Sequence, residues 1–272
     1  MTLTREQMLV EMGISPIWVL REPEQAPSEA PAPAAEEAMP AAVAEPAGVA
    51  AAAGIPDGPH PEPVPAAADG SSAAAALPAI AEASWPELER RVADCRACPL
   101  GAQRRQAVFG VGDPNPDWLF IGEGPGAEED ARGEPFVGQA GKLLDAMLAA
   151  LDIARGDKVY IANAVKCRPP NNRTPEAAEM AACRPYLERQ VALLRPKIIV
   201  LLGKAAVHSV LHDDKALAAL RGKRFEFAGI PVVVTYHPAY LLRNLPDKAK
   251  AWEDLLFARR VLREQAAPEL PF

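Results

Sequence analysis

The stretch Trp118-Leu119-Phe120-Ile121-Gly122-Glu123-Gly124-Pro125-Gly126 decides the fold of this chain. Its first four residues are apolar, which is typical of a strand buried on both faces of a parallel sheet. The three glycines and one proline that follow cannot continue either a strand or a helix. The chain therefore turns, and it places the Glu123 carboxylate at the carboxyl edge of the sheet, where open α/β sheets bind ligands. The turn matches neither GxGxxG nor the GxxxxGK[ST] phosphate loop, so it does not predict a nucleotide site.

Strands and helices alternate along the chain on both sides of this stretch. Apolar runs predict strands at 118–121, 159–165 and 198–202, and a hairpin from 225–227 and 231–236. Helical spacing predicts helices at 85–93, 141–151, 174–194, 204–211 and 247–264. Thr174 is the expected N-cap of the third helix, and Pro185 is expected to kink or divide it. The alternation predicts an α/β fold with a mostly parallel sheet that is covered on both faces.

Composition divides the chain into three parts. Residues 1–22 are expected to form a short docking peptide, residues 23–83 a disordered linker rich in Ala, Pro and Glu, and residues 84–272 the folded domain. The linker carries nine acidic residues and no Lys or Arg. The net charge of −7 for the whole chain therefore hides a mildly basic domain of about +3, which allows a nucleic-acid partner without demanding one.

Nothing in the sequence predicts a membrane segment. No apolar run approaches the ~20 residues that span a bilayer, and the N-terminus lacks the apolar region of a signal peptide. We expect a cytoplasmic protein. In that compartment, four cysteines more often indicate a metal or redox site than disulfides.

Polar residues follow three of the expected strands at the same edge of the sheet. Glu123 follows the first strand, Asn163 lies near the end of the second, and His237 follows the last, with Phe136 just beyond the glycine turn. Taken alone, a strand-end Asn is usually a turn former, and a His before Pro is usually a satisfied surface or core residue. Because the carboxyl ends of parallel strands share one edge, we expect the four side chains to line one pocket.

The cysteines predict a structural metal site. Cys95 and Cys98 form a CxxC pair, and Cys167 and Cys183 supply two distant ligands. Four thiolate ligands leave no open coordination position for catalysis. The spacing does not separate zinc from a [4Fe–4S] cluster, and four unligated buried cysteines are the remaining alternative.

Together these motifs identify the domain as similar to the family 4 uracil-DNA glycosylases, the iron–sulfur branch of that superfamily. The resemblance extends from about Cys95 to the last helix. It rests on the four cysteines and on the segments 122–126, 135–141, 163–167 and 237–243. It implies a three-layer α/β/α fold and a [4Fe–4S] cluster on Cys95, Cys98, Cys167 and Cys183. It also implies a monofunctional hydrolase that flips deoxyuridine out of DNA and releases uracil, leaving an abasic site.

The resemblance assigns roles that the residue types can perform. Phe136 would stack on the flipped base, and Asn163 would bond to the edge by which uracil differs from cytosine. His237 would stabilise the charge that develops on the uracil O2 atom, and Glu123 would orient or activate water. Gly122 and Gly124 are expected to approach the uracil with their backbone.

The chain differs from other branches of the superfamily at two positions that bear on the reaction. The best-known branch of the superfamily has an aspartate where Gly124 stands, so its water activation does not transfer to this chain. A covalent-trapping relative has a histidine in the loop at 169–173 that is absent here, so ordinary turnover is expected. The candidates for minor-groove insertion and phosphate contact are the proline-rich loop 169–173, which includes Arg173, and the segment Leu241-Leu242-Arg243, with plain solvated loops as the alternative.

Two other functions remain open at this stage. One is a non-catalytic clamp-loader subunit on the same fold, and the other is a glycosylase for mismatched thymine or for xanthine. Residues 12–21 resemble the tail by which the psi subunit of the bacterial DNA polymerase III clamp loader grips the chi subunit. That resemblance implies chi as a partner of residues 1–22, and packing of this peptide on its own domain is the alternative. We expect the protein to be a monomer.

Overall fold

A computed structural model describes residues 80–266 of the chain. Its strands are β1 Val111–Gly112, β2 Trp118–Gly122, β3 Val159–Asn163, β4 Ile198–Leu202, β5 Arg224–Phe227 and β6 Ile230–Thr235. Its helices are α1 Trp85–Asp94, α2 Leu100–Gln103, α3 Ala127–Arg132, α4 Gln139–Ala149, α5 Ala177–Leu194, α6 Lys204–Leu211, α7 Leu217–Leu220, α8 Pro238–Leu241 and α9 Asp247–Ala266. A single 3₁₀ turn spans Pro170–Asn172.

The strands form one six-stranded sheet in the order β1-β3-β2-β4-β6-β5. The four central strands are parallel, and β1 and β5 pair antiparallel at the two edges. The chain passes from β2 to β3 on one side and then crosses to β4 on the other, so the strand order reverses beside β2. Gly122 pairs with Asn163, and Leu202 pairs with Thr235, so the carboxyl ends of the central strands lie in register. This switch point is where such sheets bind ligands.

Helices cover both faces of the sheet, so every residue of the central strands β2, β3 and β4 is buried. Trp118 and Phe120 pack on one face with Leu144 and Leu148 of α4 and Leu255 of α9. Leu119 and Ile121 point the other way, into a second apolar cluster formed with α5 and α6. The three-layer α/β/α fold with a mostly parallel sheet is therefore confirmed.

Helix α5, which the sequence placed at 174–194, starts later than expected and is not divided by Pro185. It begins at Ala177 with Glu176 as its N-cap, so the assignment of Thr174 as the N-cap is wrong. It also runs through Pro185 without division. Proline removes one N–H donor from a helix. The carbonyl that loses its partner belongs to Ala181, which is exposed, so water can replace the missing bond.

The folded part begins earlier than residue 84. Ile80 and Ala83, which the sequence placed in the linker, are 5% exposed and pack with Leu88, Val92 and Tyr186. The boundary at 84 is therefore corrected to a position no later than Ile80, because compositional bias does not register a short apolar anchor. The docking peptide at 1–22 and the rest of the 23–83 linker lie outside the described residues. Among residues 80–266, no helix is long and apolar enough to cross a membrane.

Candidate active site

A cleft of about 680 Å³ opens at the carboxyl edge of the sheet. Glu123, Phe136, Asn163 and His237 all line it, although they come from four separate segments of the chain. The expectation that these side chains share one pocket is thus met by the geometry. Lys204, Tyr236 and Tyr240 line the same cleft and were not anticipated from the sequence.

The glycine turn after β2 is fixed to the end of β3. The backbone N–H of Ala164 donates to the Gly122 carbonyl at 2.9 Å, and that of Val165 donates to the Glu123 carbonyl at 3.1 Å. The Glu123 side chain is half-buried, and this burial raises the pKa of its carboxyl, against which the nearby Thr174 side chain acts. Thr174 lines the cleft and does not cap the helix at which the sequence placed it. The turn presents one carboxylate to the cleft.

Glu129 joins the two glycine-rich segments of the site. Its carboxylate accepts hydrogen bonds from the backbone N–H groups of Gly126 at 3.0 Å, Val137 at 2.9 Å and Gly138 at 3.0 Å. Sequence reasoning missed this role. A Glu at the third position of a helix is the local signal of a capping box, and it would have indicated the Gly126 bond but not the two long-range bonds.

Asn163 lines the cleft and has an unsatisfied acceptor. Its side chain is 2% exposed, and Oδ1 has no hydrogen-bond partner among the described residues. A buried polar atom without a partner is destabilising, and natural proteins retain one chiefly where a ligand or water satisfies it. The backbone carbonyl of Asn163 accepts from Lys166 Nζ at 2.9 Å. Lys166 is 1% exposed, and burial lowers the pKa of its ammonium to about 8, against which the neighbouring Cys183 and Cys167 act.

Gly122 lies directly against Asn163 and Phe136. It is buried and does not line the cleft, whereas Gly124 does. A Cβ added at Gly122 would lie 2.5 Å from Asn163 Oδ1 and 2.5 Å from Phe136 Cζ. The expected contact of Gly122 with a ligand is therefore corrected. Its missing side chain instead allows Asn163 and Phe136 to approach each other.

His237 is held neutral with a defined tautomer. It caps α8, and its Nδ1 accepts from the backbone N–H of Ala239 at 3.2 Å, so the ring proton is on Nε2. Burial, and then the positive charge of Arg243, lower the pKa of His237 to about 4, while Glu129 acts in the opposite direction. The ring centroid lies 5.5 Å from that of Phe136, at an interplanar angle of 31°. His237 is thus a neutral N–H donor beside an aromatic ring.

The residues expected to touch DNA divide into two groups. Arg173 and Arg243 line the cleft. Arg173 is already paired with Glu179 through bonds of 2.8 and 2.7 Å, whereas the Arg243 guanidinium makes no bond to any side chain in the part of the chain that the structure describes. Leu241 is fully buried, so its assignment to DNA contact is wrong. Leu242 and Leu245 are the large apolar side chains exposed in this segment, at 41% and 58%.

The four cysteines line a second, small cavity, which lies beside Lys166. None of them is in a disulfide. Arg104 donates to Cys167 Sγ at 2.9 Å, and the backbone N–H of Lys166 donates to Cys183 Sγ at 3.3 Å. Burial raises the pKa of the Cys183 thiol to about 12, and it also raises that of Cys167. Donors aimed at sulfur stabilise thiolates, which is the form that binds a metal.

The four thiols can act as one set of ligands, because all of them line the same small cavity. Both a tetrahedral zinc ion and a cluster that takes one thiolate at each of its corners use four cysteines, so these residues fit either group.

Comparison with known proteins agrees with the fold. Residues 109–256 match the model of the uracil DNA glycosylase superfamily. The Type-4 uracil-DNA glycosylase of Thermotoga maritima is 42% identical over 182 residues, which cover 65% of this chain and 94% of that protein. The Type-4 enzyme of Archaeoglobus fulgidus is 41% identical over 58% of this chain and 83% of its own length. A Type-5 uracil-DNA glycosylase of Pyrobaculum aerophilum is 30% identical over 59% and 84%.

Proposed function

The chain belongs to the uracil DNA glycosylase superfamily, and we propose that it removes uracil from DNA by hydrolysing the N-glycosidic bond of deoxyuridine. The substrate is DNA, and the products are free uracil and an abasic site. The observation that carries this proposal is the buried Asn163 Oδ1, which lacks a partner among the described residues and belongs to a residue that lines one cleft with Phe136 and His237. A pure binding module would have no need of these groups at matched strand ends.

Base recognition is assigned to Asn163 and Phe136. A base inside duplex DNA is out of reach, so the deoxyuridine has to be flipped into the cleft. The unpartnered Oδ1 of Asn163 would accept the N3–H of uracil, while its amide NH₂ would donate to O4. Cytosine has the reverse arrangement, with an acceptor at N3 and a donor at the exocyclic N4 amine. The Phe136 ring would stack on the base face.

Departure of the uracil is assigned to His237. As the glycosidic bond breaks, negative charge develops on the base and is shared by O2. A neutral imidazole with its proton on Nε2 can donate to that oxygen from a fixed position. Because the pKa of His237 is about 4, the donor stays a neutral imidazole at physiological pH. A preorganised donor needs no rearrangement at the moment of reaction.

Glu123 is assigned to the attacking water. Its carboxylate lines the cleft at the end of β2, where it can orient water and offset the positive charge that develops on the sugar. Gly124 leaves the neighbouring position without a side chain, so Glu123 is the only carboxylate of the 122–126 turn.

DNA contact is assigned to the rim of the cleft. Arg243 is exposed and would pair with a phosphate beside the flipped nucleotide, and Arg173, which is already bonded to Glu179, would contribute less. Leu242, which the sequence named together with Leu241, and the further exposed Leu245 are the apolar side chains that would enter the gap left in the base stack.

The four cysteines would hold a [4Fe–4S] cluster through Cys95, Cys98, Cys167 and Cys183. When bound, the cluster would serve as a structural crosslink between the loop after α1, the end of β3 and helix α5. Purified protein is expected to be brown and to contain iron, and Cys183→Ser is expected to lower both the iron content and the melting temperature. A colourless protein that holds zinc would overturn this assignment.

Base choice distinguishes the proposed reaction from its rivals. Oligonucleotides that carry a single U, hypoxanthine, xanthine or T·G mismatch should be compared under single-turnover conditions, with product strands cleaved at abasic sites. We expect cleavage of the U strand and far slower cleavage of the others. Cleavage of none of them would favour a non-catalytic clamp-loader subunit, and preference for T·G or xanthine would favour a glycosylase with a different base choice.

Two further proposals concern the cell rather than the chemistry. Residues 1–22 would bring the enzyme to the replisome through the chi subunit, and the enzyme would act in the cytoplasm as a monomer. Co-purification of chi with the full chain, and its loss on deletion of residues 1–22, is the expected result. Equal recovery of chi with and without those residues would contradict the tether.

A further inference from the structure

Phe136 holds its ring in the cleft with a backbone conformation that disfavours it. Its φ is 56°, in the left-handed region that non-glycine residues rarely adopt. The ring is nevertheless 6% exposed and packs between the core and His237. Such a conformation persists only when the surroundings over-determine it, and it occurs often at functional sites. The groups that hold this backbone therefore matter for where the ring lies.

One of those groups is the Arg155 guanidinium, which comes from the loop before β3. Its Nη1 donates to the Pro135 carbonyl at 2.8 Å, and its Nη2 donates to the Phe136 carbonyl at 2.9 Å. The same side chain is oriented by Asp145 of α4, whose Oδ1 accepts from Nε at 3.2 Å and from Nη2 at 2.9 Å. A planar fork can bind two successive carbonyls and a carboxylate at once, which a lysine cannot do.

The opposite side of the same turn is held by other groups. Glu129 accepts the backbone N–H groups of Val137 and Gly138, the two residues after Phe136. A Cβ at Gly141 would lie 1.8 Å from the Phe136 carbonyl oxygen, so glycine is needed there for α4 to begin so close. The carbonyls before and at the turn thus depend on Arg155, and the N–H groups after it depend on Glu129.

We propose that Arg155 is a positioning residue for base stacking, because it fixes the strained backbone that directs the Phe136 ring into the cleft. This inference rests on the proposed function. Arg155 is not among the residues that line the cleft, so it reaches the base only through Phe136. Its loss should weaken the capture of the flipped base and leave the chemical groups Asn163 and His237 in place.

The test is single-turnover excision of uracil by the wild type and by Arg155→Met, with the half-saturating DNA concentration and the maximal rate measured separately. Stacking holds the base equally in the flipped ground state and in the transition state. Its loss should therefore act mainly on the half-saturating DNA concentration and not on the maximal rate. We expect that concentration to rise roughly tenfold, the scale of one base–aromatic stack, with a much smaller change in maximal rate. Arg155→Lys should give an intermediate rise.

Arg91→Met is the matched control, because Arg91 is likewise half-buried and bonded to a carboxylate, that of Glu87 at 2.6 Å. It does not line the cleft, and both excision parameters should remain those of the wild type.

A double-mutant cycle with Phe136→Ala separates positioning from a general loss of structure. In the Phe136→Ala background, Arg155→Met should change the half-saturating concentration by no more than about twofold, since the ring that it positions is gone. An additive effect would overturn the proposal, and so would an unchanged value in Arg155→Met. If Arg155→Met is unfolded at the assay temperature, the same cycle with Arg155→Lys decides. Failure of the wild type to excise uracil would instead contradict the proposed function.

Discussion

At the scale of single residues, His237 illustrates how burial selects a chemical form. A solvent-exposed histidine titrates near 6.5, but here the pKa is lowered to about 4 by burial and by Arg243. The backbone N–H of Ala239 occupies Nδ1, which leaves Nε2–H as the donor. A charged imidazolium would be a stronger donor in principle, but a buried charge without a partner is costly to maintain. The site therefore uses a neutral donor that is already in place.

The pH dependence of excision follows from that lowered pKa. The folded pKa of about 4 lies below the ordinary value of 6.5, so His237 remains neutral as the pH falls from 7 to about 5. We expect no inflection in the single-turnover rate near 6.5, and an acid limb at lower pH to which protonation of Glu123 also contributes.

The measurement is the rate profile from pH 4 to 9 of the wild type and of His208→Gln, which removes a histidine that does not line the cleft. The two profiles should coincide. A loss of rate centred on 6.5 in both, which Glu123→Gln retains at its own lower rate, would contradict a neutral, buried His237.

At the scale of secondary-structure elements, the short helix α8 separates a core leucine from a surface leucine. Leu241 is fully buried, while the next residue, Leu242, is 41% exposed. Because α8 has only four residues, helical periodicity gives no indication of which of two adjacent leucines turns inward. In the structure Leu241 packs in the interior and Leu242 lies at the surface. Replacement of each leucine should therefore have a different effect.

Leu241→Ala and Leu242→Ala form a matched pair. Leu241→Ala should destabilise the fold by about 2–5 kcal/mol, since it removes a buried side chain and leaves a cavity. Leu242→Ala should leave the melting temperature almost unchanged but weaken excision from duplex DNA more than from single strands, because a wedge is needed only where a stack must be opened.

Thermal unfolding and single-turnover rates on the two substrates test both variants. Equal melting temperatures for the two, or an equal loss of excision on both substrates in Leu242→Ala, would contradict these assignments.

Much of the element pattern could be predicted from sequence, because it depends on local signals. Continuous apolar runs predicted β2 and β4, and the glycine turn placed Glu123 at the sheet edge. What could not be predicted depends on contacts between distant segments. Glu129 binds Val137 and Gly138, and Arg155 binds the carbonyls at Phe136, yet each residue alone resembles an ordinary surface charge. The cysteines could be recognised as a set from the sequence, but their convergence on one small cavity is a property of the folded chain.

At the scale of the whole molecule, the catalytic cleft and the cysteine group are connected through one residue. The backbone N–H of Lys166 donates to Cys183 Sγ, and its Nζ donates to the backbone carbonyl of Asn163 at 2.9 Å. The segment from Asn163 to Cys167 thus carries both an amide that lines the cleft and a thiol. A structural group bound by the four cysteines would therefore help to hold the segment that carries Asn163.

The start of the folded part is a second property of the whole molecule. Ile80 is buried, and the Ala83 carbonyl accepts from Arg189 at 2.7 Å, so a chain that begins at residue 84 loses both contacts. We expect it to be less stable than a chain that begins at residue 79, by roughly 2 kcal/mol for the buried isoleucine alone. Both should excise uracil at a temperature where both are folded.

Urea unfolding of the two chains measures that difference, provided that the free energy of unfolding falls with urea concentration at the same slope in both. Equal midpoints would show that the anchor before residue 84 contributes nothing, and would restore the boundary that composition indicates.

The measurement that tests the account most directly is single-turnover release of uracil by Asn163→Ala beside the wild type and Asn115→Ala, an exposed turn residue away from the cleft. Two lost hydrogen bonds of about 1.5 kcal/mol each should slow Asn163→Ala roughly 100-fold and reduce its preference for uracil over cytosine. Asn115→Ala should match the wild type. If Asn163→Ala releases uracil at the wild-type rate, the amide does not read the base, and the central claim about the cleft is wrong.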